Sequence, residues 1–145
     1  MIEESYVSFD TAKLLKEVGF GLSCRGVYVT DRTGYYEFRE YDNKQTTDDL
    51  CWNTEDGFQY EYLAPTQALA ARWLREVHRI HIFSNYFFED GRWFYVIVDL
   101  KESHEVRAIH PDIRSYQSNE EALEAGLQEA IKLIKSNDYE EDSFQ

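Results

Sequence analysis

At 145 residues and 17.2 kDa, with 43% hydrophobic and 30% charged residues, the chain has the composition of one globular domain, which excludes a disordered, collagen-like or coiled-coil protein. Its net charge of −13 and pI near 4.6 argue against direct binding to nucleic acid or anionic lipid, because both ligands require an excess of Lys and Arg. No apolar run approaches the roughly 18 residues of a membrane span. A signal peptide begins with positively charged residues, but this sequence has Glu3 and Glu4 there, so we expect a cytoplasmic protein.

The first half of the chain predicts one helix and three strands. Ser8 is a candidate N-cap, and apolar residues then recur at helical spacing up to Gly19. Residues 25–30 and 35–41 flank a turn-forming segment and predict a β-hairpin. Aromatic residues alternate with polar ones over residues 58–62, which predicts a third strand with an aromatic face towards the core.

The second half predicts two more helices and a second group of strands. An apolar stripe indicates a helix that begins after Pro65 and Thr66 and continues to Val77, and a capping box at Ser118 and Glu121 begins a helix that ends near Ser136. Between these helices, the predicted strands cover residues 80–83, 93–100 and 106–109, and the second is apolar enough on both faces to be central.

The order of the elements predicts an α+β fold with a mainly antiparallel sheet, built from two strand groups, and three helices packed against it. We expect one α+β domain over residues 1–136. Residues 137–145 contain four acidic side chains and no cation. This composition predicts a flexible acidic tail.

Reactive side chains are few and lie far apart along the chain. Cys24, Cys51, His78 and His81 are candidate zinc ligands, but their spacing is unlike that of a structural zinc site. His104 and His110 lie near several carboxylates, and Arg25 beside Cys24 suggests an activated thiolate. The sequence contains no nucleophile elbow and no phosphate-binding loop. We therefore assign no catalytic, cofactor-binding or metal-binding residue and keep a small hydrolase or metal-binding protein as an alternative.

Three arginines recur along the second predicted helix, at Arg72, Arg75 and Arg79. They could form a patch that binds phosphate or an acidic partner. Glu76 lies among them, and a helix with one buried face normally has a charged face in solvent. We therefore interpret the arginines as a solvated helix face.

The chain contains 11 Tyr, 9 Phe and 3 Trp, and several of these aromatic residues lie near predicted turns. Aromatic residues at the ends of loops are enriched in protein interfaces. The candidate partner-binding residues are Tyr35, Tyr36, Tyr41, Trp52, Tyr86, Phe87 and Phe88. They favour a non-enzymatic protein that binds another protein, and two-fold contacts through them would form a homodimer. The alternative is an acidic mimic of nucleic acid that inhibits a DNA-processing protein.

Four segments carry a resemblance to known proteins: residues 5–15 (SYVSFDTAKLL), 64–67 (APTQ), 73–78 (WLREVH) and 121–127 (EALEAGL). In these segments the chain resembles a group of small uncharacterised proteins encoded by bacteriophages and prophages of gut anaerobic bacteria. The group has no known activity, so the resemblance transfers no catalytic residue. It implies an intracellular accessory protein of a mobile element, for which interaction with another protein is expected rather than metabolism.

Overall fold

A computed structural model describes residues 4–31, 33–50, 60–101, 104–108 and 116–143. The chain divides into two compact units, Met1–Thr66 and Gln67–Gln145. Both units contain helix and antiparallel strand, which confirms the predicted α+β fold class. Within the described ranges, each strand group forms a three-stranded sheet of its own. The single domain over residues 1–136 stays a prediction.

The first unit begins with helix α1, Phe9–Glu17, as predicted. The Ser8 side chain accepts a hydrogen bond from the backbone N–H of Thr11 and caps the helix. At the other end, Gly19 has a φ of +91°, and the N–H of Phe20 donates to the carbonyl of Leu15 at 3.0 Å. This pairing is a Schellman motif, and it folds the Phe20 side chain into the core, where Leu15 is also buried.

The sheet of the first unit contains β1 (Cys24–Thr30), β2 (Tyr36–Gln45) and β3 (Tyr60–Ala64), in the order β2-β1-β3. The predicted hairpin is confirmed, since β1 and β2 pair antiparallel from Thr30 and Tyr36. The Asp31 carboxylate accepts backbone hydrogen bonds from Thr33 and Tyr35 in the connecting turn. The hydroxyl and backbone N–H of Thr33 lower the pKa of that carboxyl, because they stabilise its ionised form.

The aromatic side of β3 was predicted to face the core, but the structure buries the other side of the strand more deeply. Tyr60 and Tyr62 are only half-buried, whereas Glu61 and Leu63, on the opposite side of the strand, are buried. The tyrosine side packs instead against other aromatic rings, which reduces but does not remove its contact with solvent. Phe58 and Gln59, which belonged to the same prediction, lie outside the described residues.

The second unit contains the helices α2 (Gln67–Val77) and α3 (Asn119–Ser143). The predicted cap of α3 is confirmed, because the Ser118 hydroxyl accepts from the N–H of Glu121 at 3.1 Å. The helix continues to Ser143 rather than to about Ser136, since no Gly or Pro follows to stop it. Val77, which the prediction included in the apolar stripe, is 58% exposed and does not belong to the buried face of α2.

The sheet of the second unit contains β4 (Ile80–Phe87), β5 (Arg92–Asp99) and β6 (His104–Ala108), in the order β4-β5-β6. The predicted central position of β5 is therefore confirmed. Helix α3 packs against β4 and β5, and α2 packs against β4. Gly126 of α3 allows the close approach of Ile82 and Tyr95 from the sheet. No helix in the described part of the chain has both the length and the apolar character to cross a membrane.

Candidate functional site

The predicted partner-binding residues are divided between the two units. The exposed fractions are 63% for Tyr35, 49% for Tyr36, 47% for Tyr86 and 78% for Phe88. Tyr41 and Phe87 are half-buried, and Trp52 lies outside the described residues. The structure therefore places one aromatic group at the start of β2 and another at the β4–β5 turn.

Tyr36, in the group at the start of β2, belongs to an aromatic cluster, by which we mean Tyr6, Phe9, Tyr28, Tyr36, Phe38 and Tyr62. The Phe9 ring stacks on Tyr36 with centroids 4.3 Å apart and an interplanar angle of 20°. The Phe38 ring lies 4.8 Å from Tyr6 and 5.3 Å from Tyr28. These separations are typical of favourable aromatic pairs, so the rings form one connected layer over the sheet.

Strand alternation explains why these rings share one side of the sheet. Tyr28 of β1 pairs with Phe38 of β2 and with Tyr62 of β3 in the antiparallel register. Directly opposed residues of neighbouring strands point to the same face. Gly26 occupies the next position on this face, where a Cβ atom would collide with the carbonyl oxygen of Ala64 and with the rings of Phe38 and Tyr6. The cluster therefore depends on a residue without a side chain.

The cluster is open to solvent along β2, and we call Tyr36 and Phe38 the aromatic edge. Phe38 is 39% exposed, and β2 has a neighbouring strand on only one side within the described ranges. Of these two residues, the sequence identified Tyr36 and missed Phe38, whereas the predicted Tyr35 is exposed just before β2. The missing signal was alternation, because Phe38 follows Tyr36 by two residues and must share its face of the strand.

Charged groups of both signs surround the cluster. Lys13 lies 4.5 Å above the centre of the Phe9 ring, and Lys16 lies 4.9 Å above that of Tyr62, as in cation–π pairs. At the other end, burial and the nearby Glu40 carboxylate raise the pKa of Tyr6. The aromatic face therefore has ammonium groups near α1 and carboxylate near the middle of β2.

The opposite side of β2 is polar. The Arg39 guanidinium lies 2.6 Å from the Glu37 carboxylate, and both side chains are nearly half exposed. Glu37 and the Tyr41 side chain hydrogen-bond to Arg39 and raise the pKa of its guanidinium. Tyr41 therefore belongs to this polar side and not to the aromatic edge, although both were predicted as one set.

The second aromatic group lies at the turn between β4 and β5. Tyr86 contacts the Trp93 ring at 5.1 Å, and Gly91 has the positive φ that this turn requires. Phe88 is the most exposed large hydrophobic residue of the described ranges. It stands among exposed charged residues, so this turn presents a single prominent ring and not a connected layer.

The arginine pattern of α2 is interrupted by the end of the helix. Arg72 pairs with Glu76 at 3.0 Å, and Arg79 lies beyond the last helical residue, Val77, with a φ of +59°. The prediction that Arg72, Arg75 and Arg79 share one helix face is therefore wrong for Arg79.

The described candidate reactive residues are divided between the two units. Cys24 belongs to the first unit, whereas His78 and His81 belong to the second and pack against the rings of Trp73 and Phe83. Among the described residues, no group of three or more His, Cys, Asp or Glu could hold a metal ion. Cys51 and His110 lie outside those residues.

The Cys24 thiol is buried in the first unit, with 5% of the residue exposed. Burial raises the pKa of this thiol, which is the opposite of the activation that Arg25 was thought to provide. In a Cys51→Ser background, we expect a disulfide reagent at pH 8 to react on the order of 100-fold more slowly with the native protein than with the unfolded chain.

The raised pKa also sets the sign of the pH dependence of Cys24. Because the folded state holds the thiol proton more tightly, its contribution to stability is complete below about pH 8.5 and declines as the pH rises through the folded pKa. Unfolding in urea at pH 8 and pH 10, with Cys24→Ala as the reference, measures this loss. In the experiment with the disulfide reagent, equal reaction rates for the folded and unfolded chains would contradict the burial of the thiol.

A small cavity of about 160 Å³ lies beside α1 in the first unit. Its lining is mostly apolar and includes Phe20, Leu50 and Leu63, with Lys16 as its charged residue. This volume is below the usual range for sites that enclose a metabolite, so the aromatic edge is the stronger candidate surface.

The chain matches no protein-family model, no curated protein and no solved structure. The choice of the aromatic edge as the candidate site therefore rests on its geometry.

Proposed function

We propose that this protein is a non-enzymatic accessory protein that binds another protein through the aromatic edge. The observation that carries the proposal is the layer of packed rings that remains open along β2, where Tyr36 and Phe38 are 49% and 39% exposed. Rings that are already held in place lose little conformational freedom on binding. Aromatic residues of this kind supply much of the affinity in protein interfaces.

The charges beside the edge indicate the chemistry of the partner. Glu40 is exposed on the same face as Phe38, and the whole chain has a net charge of −13. A complementary protein therefore presents apolar side chains to Tyr36 and Phe38 and a basic side chain to Glu40. The long-range charge increases the rate of encounter with such a partner, and the rings provide the contact area.

The cellular setting remains part of the proposal. The resemblance to phage-encoded proteins supports an intracellular accessory role. This argument does not depend on the aromatic edge, so the binding function can be tested without it.

Capture from a lysate of the cells that naturally produce the protein tests the binding function. We expect Tyr36→Thr or Phe38→Thr to reduce recovery of the main captured protein at least about tenfold, because each removes a ring that contributes a large share of the affinity. Threonine keeps the strand preference of β2. The matched control is Phe88→Thr, which removes a more exposed ring in the other unit and should leave recovery unchanged.

The proposal would be contradicted if Phe88→Thr abolished recovery of the captured protein and both β2 variants retained it. Thermal unfolding of each of the three variants checks that it is folded. If the main captured protein is a DNA-processing enzyme that moderate salt releases and that the β2 variants still bind, the result favours the acidic mimic.

A further inference from the structure

We propose that the free edge of β2 pairs with β2 of a second copy of this chain, so that two sheets join into one antiparallel sheet around a two-fold axis at Phe38. This proposal goes beyond partner binding and does not require it. Strand β2 contains ten residues and has no second neighbouring strand in the described part of the chain. Among the described strands, none occupies its outer backbone groups, which can pair with another strand.

Symmetry restricts which registers are allowed. In a continuous antiparallel sheet the two-fold axis passes through one residue, which faces its own copy, and residues at equal distances on either side face each other. An axis at Glu37, Arg39 or Glu40 would place a charged side chain opposite itself. An axis at Tyr41 would place Glu40 opposite Asp42 of the other copy. Like charges directly opposite each other destabilise a sheet.

An axis at Phe38 avoids these repulsions and adds attractive pairs. Phe38 then faces Phe38 of the second copy, and Glu37 of each chain faces Arg39 of the other. Within one chain these two side chains already form an ion pair at 2.6 Å on the polar side of β2. The two copies would therefore form a square of alternating charges, which is self-complementary as a two-fold interface requires.

The regular part of β2 also favours this axis over one nearer the end of the strand. An axis at Asn43 likewise avoids like charges, since Asp42 would face Lys44. However, the pairing of β1 and β2 shifts between Glu40 and Gln45, and this irregularity bends the strand. The Phe38 axis lies in the regular segment and brings the exposed Phe38 rings of the two copies side by side.

The joined sheet would also change the binding surface. Because the axis is perpendicular to the sheet, both aromatic clusters lie on the same face of the dimer. The two aromatic edges then meet at the centre and form one surface twice as long. Glu37 and Arg39 lie on the other face, so their substitution tests dimer formation without removing a ring.

Charge reversal tests the pairing. At about 150 mM salt, which screens the repulsion between the two acidic chains beyond about 8 Å, we expect sedimentation equilibrium to show a dimer of the full chain. Arg39→Glu places four carboxylates together and should raise the dimer dissociation constant at least about tenfold. The double variant Glu37→Arg with Arg39→Glu keeps the composition and restores complementarity, so it should dimerise like the original chain.

Two results would overturn the proposal: an original chain that stays monomeric over the whole concentration range, or a charge-swapped double variant as defective as Arg39→Glu alone. Circular dichroism of each variant separates a lost interface from a lost fold. Because Arg39→Glu keeps Tyr36 and Phe38, capture of the partner by this variant tests partner binding separately from dimer formation.

Discussion

Replacement of Gly26 by alanine is expected to lower the free energy of unfolding by about 2–3 kcal/mol. The new methyl group would collide with the Ala64 carbonyl oxygen of β3 and lie 2.9 Å from the rings of Phe38 and Tyr6. A backbone oxygen in a paired strand cannot move aside cheaply, so β1 and β3 would have to separate. Alanine in a strand normally stabilises relative to glycine by about 0.5–1 kcal/mol, and the collision outweighs that gain. Urea unfolding measures the difference.

Gly21→Ala is the matched control for this prediction. It makes the same chemical change in the same unit, but the nearest atom to its new methyl group is 3.8 Å away, which is ordinary contact. We expect its unfolding free energy to stay within about 0.5 kcal/mol of the original. Equal unfolding free energies for the two variants would contradict the close packing of β1, β3 and the aromatic cluster around Gly26.

The second large effect is expected for Gly126→Val in α3. Its Cβ would lie 2.9 Å from a methyl carbon of Ile82 and 3.0 Å from the Cβ of Tyr95, both of which are buried in the sheet. We expect a loss of about 2–3 kcal/mol, because the helix must move away from the sheet to make room.

Lys132→Val separates this packing effect from the helix preference of valine. Lys132 is an exposed residue of the same helix, so the substitution carries only the propensity cost, about 0.5 kcal/mol. Glycine has a lower helix propensity than valine, so Gly126→Val would not destabilise α3 without the close contacts, and a loss larger than that of Lys132→Val is due to packing. A Gly126→Val variant no less stable than Lys132→Val would contradict the contact of α3 with β4 and β5.

Local signals explain why much of the fold could be predicted from the sequence. The caps at Ser8 and Ser118 and the turn at Gly34 act over a few residues, so their effects can be read directly. The central position of β5 follows from its continuous apolar run. The extent of α3 was mistaken because acidic residues near its end weaken a helix without stopping it.

The candidate site was only partly predictable, since it depends on pairing between strands that are distant in the sequence. Proximity in the sequence suggested Tyr35, Tyr36 and Tyr41 as one set, yet alternation places Tyr41 with Arg39 on the other side of β2. The contribution of Phe9 and Tyr6 depends on where α1 and the segment before it meet the sheet. No local pattern contains that information.

Hydrogen exchange of the Arg39→Glu variant at a concentration where it is monomeric, with and without its captured partner, tests the central claim most directly, because pairing of β2 with a second copy would already protect its amides. Backbone amides from Tyr36 to Glu40 lie on an edge strand, and a protein bound to the aromatic edge would shield them from solvent. We predict that the partner slows exchange in this segment and leaves the β4–β5 turn unchanged. If the partner slowed exchange at the turn around Phe88 and left the exchange rates in β2 unchanged, the binding surface would lie elsewhere.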